Sequence, residues 1–92
     1  MRDNKAENIN IRKGTRADVP RAFELVVELA AYERAEHEVS NTIARMEEDG
    51  FGSNPIFEFY VAEVNGEILG ISLFYYRYST WKGKRLYLED IV

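Results

Sequence analysis

"IFEFYVAEVNGEILGISLFYYRY", residues 56 to 78, places two apolar, largely alternating runs on either side of Asn65-Gly66. Period-two alternation marks strands, and Asn-Gly between two such runs marks a tight hairpin, because a type I′ turn needs positive φ at both central positions. This hairpin decides the fold class: the C-terminal part of the chain is antiparallel β, and the segments before it must pack on the resulting sheet. Beyond it, "STWKGK" (79–84) makes a connection, and "RLYLEDIV" (85–92) reads as a third strand. Leu86, Tyr87, Leu88, Ile91 and Val92 give that strand a buried character. Glu89 and Asp90 lie side by side within it, and burying a charge is costly unless it is paired or used.

Upstream, "INIRKGT" (9–15) sets Ile9 and Ile11 among polar residues ahead of Gly14, which predicts a first strand. Thr15 and Asp18 are both N-cap residue types, and Pro20 suits a first helical turn, so a helix is expected from just after Asp18 into the mid-thirties. Val19, Ala22, Phe23, Val26, Leu29 and Ala30 supply its apolar stripe. A shorter helix is predicted in "SNTIARMEEDG" (40–50), capped by Ser40 or Asn41, with Ile43 and Met46 inward and Gly50 as its stop. The order β-α-α-β-β-β describes an α+β unit with two helices on an antiparallel sheet.

At 92 residues, with 46% of them hydrophobic, the chain holds one small domain or part of one. "MRDNKAEN" (1–8) has no apolar run behind its charges and reads as a disordered tail. There is no cysteine, which excludes disulfides and thiolate-held metals and fits a cytoplasmic protein. The longest apolar stretch, "ILGISLFYY" (68–76), falls well short of the ~20 residues a membrane helix needs, so no membrane partner is expected. The net charge of −4 argues against nucleic acid, which requires a concentrated basic face. The basic run Lys82–Arg85 reads as a solvated turn, whereas the acids between Glu28 and Asp49 form either a solvated helix surface or a face that attracts a cation.

Several motifs point nowhere. Gly50-Phe51-Gly52 follows a helix rather than a strand, so it is a turn and not a phosphate loop. His37 is the sole histidine, and no metal site is expected. Ser72 lacks the second glycine of a nucleophile elbow. The aromatic residues between Tyr60 and Tyr87 divide between two sheet faces. Trp81, in a connection, either caps the core or touches a ligand. On a regular strand Glu89 shares a face with Tyr87 and Ile91, and Asp90 the opposite face with Leu86 and Leu88, which excludes a proton-sharing dyad. Alternation alone does not choose between them.

Taken in order, "IRKGTRADV" (11–19), "ELAAYE" (28–33), "EEDGFG" (47–52), "VAEVNGEILG" (61–70), "YYRYSTW" (75–81) and "GKRLYLEDI" (83–91) resemble the N-terminal half of the GNAT superfamily of acetyl-CoA-dependent N-acetyltransferases. The likeness is to its diamine and polyamine (spermidine/spermine) branch, and "YLED" after "W-x-G-K" is its most specific element. The resemblance implies that 1–92 is a single partial GNAT domain, whose cofactor loop and thiolate-protonating tyrosine lie beyond Val92. It implies that the acid matching Glu89 acts as a base, through water, on an acceptor ammonium. An alkyl ammonium has a pKa near ~10.4, so about one molecule in a thousand is neutral at pH 7 and a base must supply the nucleophile. Residues matching Tyr32, Glu33 and Trp81 then hold the cation by charge and ring face. Ile91 and Val92 fall on the strand side of the acetyl-CoA groove, and Asp90 keeps a structural or secondary role. The branch often has Asp-Pro where this chain has Ser79-Thr80, a departure that leaves room for an acceptor smaller than a long polyamine, such as a thialysine-like amino acid.

Two functions are therefore expected. One is acetyl-CoA-dependent N-acetylation of a small cationic amine, with a homodimer or strand-exchanged assembly. The other is a non-catalytic module that assembles through an exposed sheet edge.

Overall fold

A computed structural model describes the backbone of residues 9–91 and the side chains of residues 9–89. The expected tail, residues 1–8, lies outside the described residues. The elements are β1 (Ile9–Lys13), α1 (Val19–Tyr32), α2 (Ile43–Phe51), β2 (Phe57–Val64), β3 (Glu67–Ser79) and β4 (Gly83–Ile91), with single 3-10 turns at Arg16–Asp18 and Glu36–Glu38. The strands form one antiparallel sheet in the order β1-β2-β3-β4. Asn65 (φ 53°) and Gly66 (φ 83°) make the positive-φ turn between β2 and β3.

Both helices pack on one face of the sheet. Val19, Ala22 and Leu25 of α1, Met46 of α2, Phe57, Phe59 and Val61 of β2, and Ile68 and Ile71 of β3 form the core. α1 starts at Val19 with Pro20 in its first turn. Asp18 does not cap it. Its carboxylate instead accepts from Thr15 N (2.8 Å), Thr15 Oγ1 (2.9 Å) and Arg12 (2.8 and 3.1 Å). Arg12 also reaches Glu63 at 3.3 Å, so one guanidinium ties β1 to the entry of α1 and to β2.

Three expectations need correction. The α2 cap is Thr42, whose Oγ1 accepts from Arg45 N at 3.0 Å, rather than Ser40 or Asn41, because the chain turns helical one residue later. Gly50 does not stop α2. The helix continues through Phe51, and Gly50 is buried inside it, where a Cβ would stand 2.6 Å from the Phe57 ring. Ile43 is 38% exposed instead of facing inward.

The most consequential difference concerns β4. Its apolar composition suggests burial, yet it is an edge strand, with Leu86, Tyr87 and Leu88 all exposed.

Candidate active site

Glu89 owes its position to a β-bulge. In the β3–β4 register Leu73 stands opposite Asp90 and Phe74 opposite Leu88, which leaves Glu89 as the extra residue. A bulge bends its strand and re-aims the side chain it carries. The helix-side face of β4 is marked by Tyr87, stacked 5.7 Å from Tyr75, a residue packed on the core. Glu89 opens to the same side. The bulge interrupts the alternation that would set Asp90 with Leu86 and Leu88, while the side chains of Asp90 and Ile91, and all of Val92, lie outside the described residues.

There Glu89 lines an open pocket of about 230 Å³ between the helices and the sheet. Phe23 and Val26 of α1, Met46 of α2, Phe57 of β2 and Leu73 of β3 form its apolar wall. Asp49 supplies a second carboxylate, three residues after Met46 and so on the same face of α2. Among the described residues no Lys or Arg lines the pocket. An apolar wall with two acids and no base suits an alkyl chain ending in an ammonium: the stem packs on the wall and the head meets the carboxylates.

The other residues singled out in the sequence do not gather there. Tyr32 (86% exposed) and Glu33 end α1, about 9 to 10 Å of helix rise beyond Val26. Trp81 is 93% exposed in the turn between β3 and β4, which Ser79 Oγ closes by accepting from Trp81 N (3.1 Å) and Lys82 N (3.2 Å). From Gly83 to Glu89 the strand climbs roughly 20 Å, so Trp81 and Glu89 of one chain stand far apart. Asp49 belongs to the run of acids that the sequence left open between a solvated helix surface and a face attracting a cation, and only the fold sets it apart from the others by placing it in the pocket. His37 sits exposed beside Glu38 at 3.8 Å, and among the described residues no cluster of acids or histidines could hold a metal ion.

A thioester cofactor would find partial accommodation. β4 is an edge strand, paired with β3 alone among the described strands, and the backbone groups on its outer side could pair with the amide-bearing arm of acetyl-CoA. The cations Arg77, Lys82, Lys84 and Arg85 all lie at the far end of the β3–β4 hairpin, away from the bulge, so these residues do not fit a diphosphate bound beside Glu89.

The architecture is that of a GNAT acetyltransferase. An aminoglycoside acetyltransferase from an uncultured soil metagenomic sample, solved with sisomicin, superposes with a TM-score of 0.70 at 15% identity, over 95% of this chain and 57% of that one. In sequence the chain is a relative of the spermidine/spermine and thialysine N-acetyltransferases. It is 38% identical over 89 residues to the mouse thialysine N-epsilon-acetyltransferase, matching 88% of this chain and 52% of that protein. It is 37% identical over 97 residues to the human spermidine/spermine N(1)-acetyltransferase-like protein 1, matching 98% of this chain and 14% of that protein. The chain thus spans about half the length of the thialysine enzyme it matches. No protein-family profile matches it.

Proposed function

We propose that residues 9–91 form the acceptor side of an N-acetyltransferase that transfers the acetyl group of acetyl-CoA to a small aliphatic amine, of polyamine, diamine or thialysine-like type. The observation that carries this reading is Glu89, turned by a bulge into an apolar pocket that also holds Asp49. Acetyl-CoA, when bound, supplies an activated acetyl thioester. Glu89 takes up a proton from the acceptor ammonium, through a water or directly, and exposes the nitrogen lone pair. Asp49 holds positive charge at the pocket, and the aromatic and aliphatic wall orients the alkyl stem. Glu33, Tyr32 and Trp81 act further out, on the distal part of a longer cation. In this reading the diphosphate site is supplied by chain beyond Val92.

The test is steady-state acetyl transfer by the protein extended through that segment, against a panel of diamines, polyamines and amino acids with an ω-amine. Turnover of alkyl amines supports the reading. Turnover confined to acceptors without an ammonium would overturn it. A second reading, a non-catalytic module pairing through its sheet edge, is favoured by one observation, the exposed edge strand β4. It predicts no transfer to any amine by the extended protein.

A further inference from the structure

Building on the acetyltransfer reading above, we propose that Asn41 makes the pocket selective for amines that carry an uncharged oxygen, a carbonyl or a hydroxyl, remote from the ammonium. Asn41 lines the same pocket as Glu89 and Asp49. Among the described residues that line it, the others are apolar or acidic, so Asn41 brings its one side-chain hydrogen-bond donor. The orientation of that donor is fixed by chemistry. The Thr42 backbone N–H donates to Asn41 Oδ1 at 2.9 Å, and because only an oxygen can accept there, the opposite end of the amide is the NH2 group. Among the described residues Nδ2 has no acceptor. Asn41 is exposed, so water occupies those N–H groups until an acceptor oxygen replaces it. Thr42 rather than Asn41 caps α2, which leaves Asn41 free for this role.

The placement of the two polar groups along α2 sets the direction. Asn41 stands just before the first turn of α2 and Asp49 lies in its last turn, about 10 Å further along the axis at 1.5 Å per residue. The helix dipole runs the same way, with its positive end beside Asn41 and its negative end beside Asp49. The pocket is therefore polarised: an ammonium suits the Asp49 end, and an electron-rich oxygen suits the Asn41 end. A second ammonium at the Asn41 end would face N–H donors and the positive pole, which sets a plain diamine at a disadvantage. A carboxylate there would share the pocket with Asp49 and Glu89, with no Lys or Arg among the described lining residues to offset it. An uncharged oxygen meets neither penalty and gains the Nδ2 hydrogen bond.

The test is steady-state acetyl transfer by the extended protein to pentylamine, diaminopentane and aminopentanol, which share one carbon chain and differ only in the remote group. The parent should show a KM for aminopentanol at least ~3-fold below that for either of the others, the scale of one neutral hydrogen bond. Asn41→Asp keeps an oxygen for the Thr42 amide and puts a carboxylate oxygen where the donor stood. That variant should lose the preference for aminopentanol and show its lowest KM with diaminopentane. Asn41→Leu, with neither donor nor charge, should level the three KM values. A parent that treats the three alike or favours diaminopentane, or a preference for aminopentanol that survives Asn41→Asp, would overturn the selectivity of Asn41 and leave the acetyltransfer reading standing. No turnover of any of the three would overturn both.

Discussion

Asp18 accepts four hydrogen bonds, two from Arg12 and two from Thr15, and they have a measurable consequence. The Arg12 guanidinium, supported by the Thr15 amide and hydroxyl, outweighs burial and holds the carboxyl at about 2, against an ordinary 3.8. Because the folded-state pKa is depressed, this stabilisation is complete above pH 3.8 and is lost as pH falls toward about 2. Asp18→Asn should therefore reduce stability by about 2 kcal/mol at neutral pH, with the deficit shrinking to nothing near pH 2. Melting temperatures of both proteins across that range check it, and a constant deficit would contradict the assignment. At the pocket, Asp49→Asn should raise the acceptor KM in the extended protein and leave the acetyl-CoA KM unchanged, since Asp49 lines the amine side only. Glu33→Gln and Trp81→Ala should raise KM for long polyamines more than for short diamines, because both residues lie well away from Glu89 along the fold. Equal KM values across acceptor lengths would remove them from substrate binding.

Among the elements, the β2–β3 hairpin rests on a local backbone requirement and not on packing: beyond its chain neighbours a Cβ on Gly66 would meet nothing within 4 Å, but φ there is +83°. Gly66→Ala should cost about 1 kcal/mol by urea titration, while Gly50→Ala should cost more, because its methyl group meets the Phe57 ring. A reversed ranking would contradict this account of α2. The hairpin and the start of α1 were legible in the sequence because Asn65-Gly66 and Pro20 act through their own backbones. The α2 cap was not, since Ser40, Asn41 and Thr42 are all competent and packing chooses among them. The open edge of β4 was anticipated, but the exposure of Leu86, Tyr87 and Leu88 was not, because an apolar run reads alike at an edge and at the centre of a sheet. The bulge at Glu89 exists only in the pairing with β3, so no pattern within "RLYLEDIV" announces it. Glu89 itself was legible through its family resemblance, whereas Asp49 and the separation of Trp81 from Glu89 required the fold.

At the scale of the whole molecule, helices cover one face of the sheet, while Ile9 (48%), Ile11 (63%) and Leu88 (50%) remain exposed, and β4 presents an open edge. Residues 1–92 alone should therefore bind acetyl-CoA weakly, because the described residues place no cationic or helix-terminal seat for the diphosphate beside the bulge. Calorimetric titration showing micromolar affinity would mean that the cofactor seat lies within the described half. The central claim is that Glu89 removes a proton from the acceptor. The most direct measurement is the pH–rate profile of kcat for the extended protein and its Glu89→Gln variant, with a diamine acceptor. The account predicts a loss of at least ~10² at neutral pH, narrowing as pH rises toward ~10, where the amine is already neutral. A variant with near-parental turnover and an unchanged profile would contradict it.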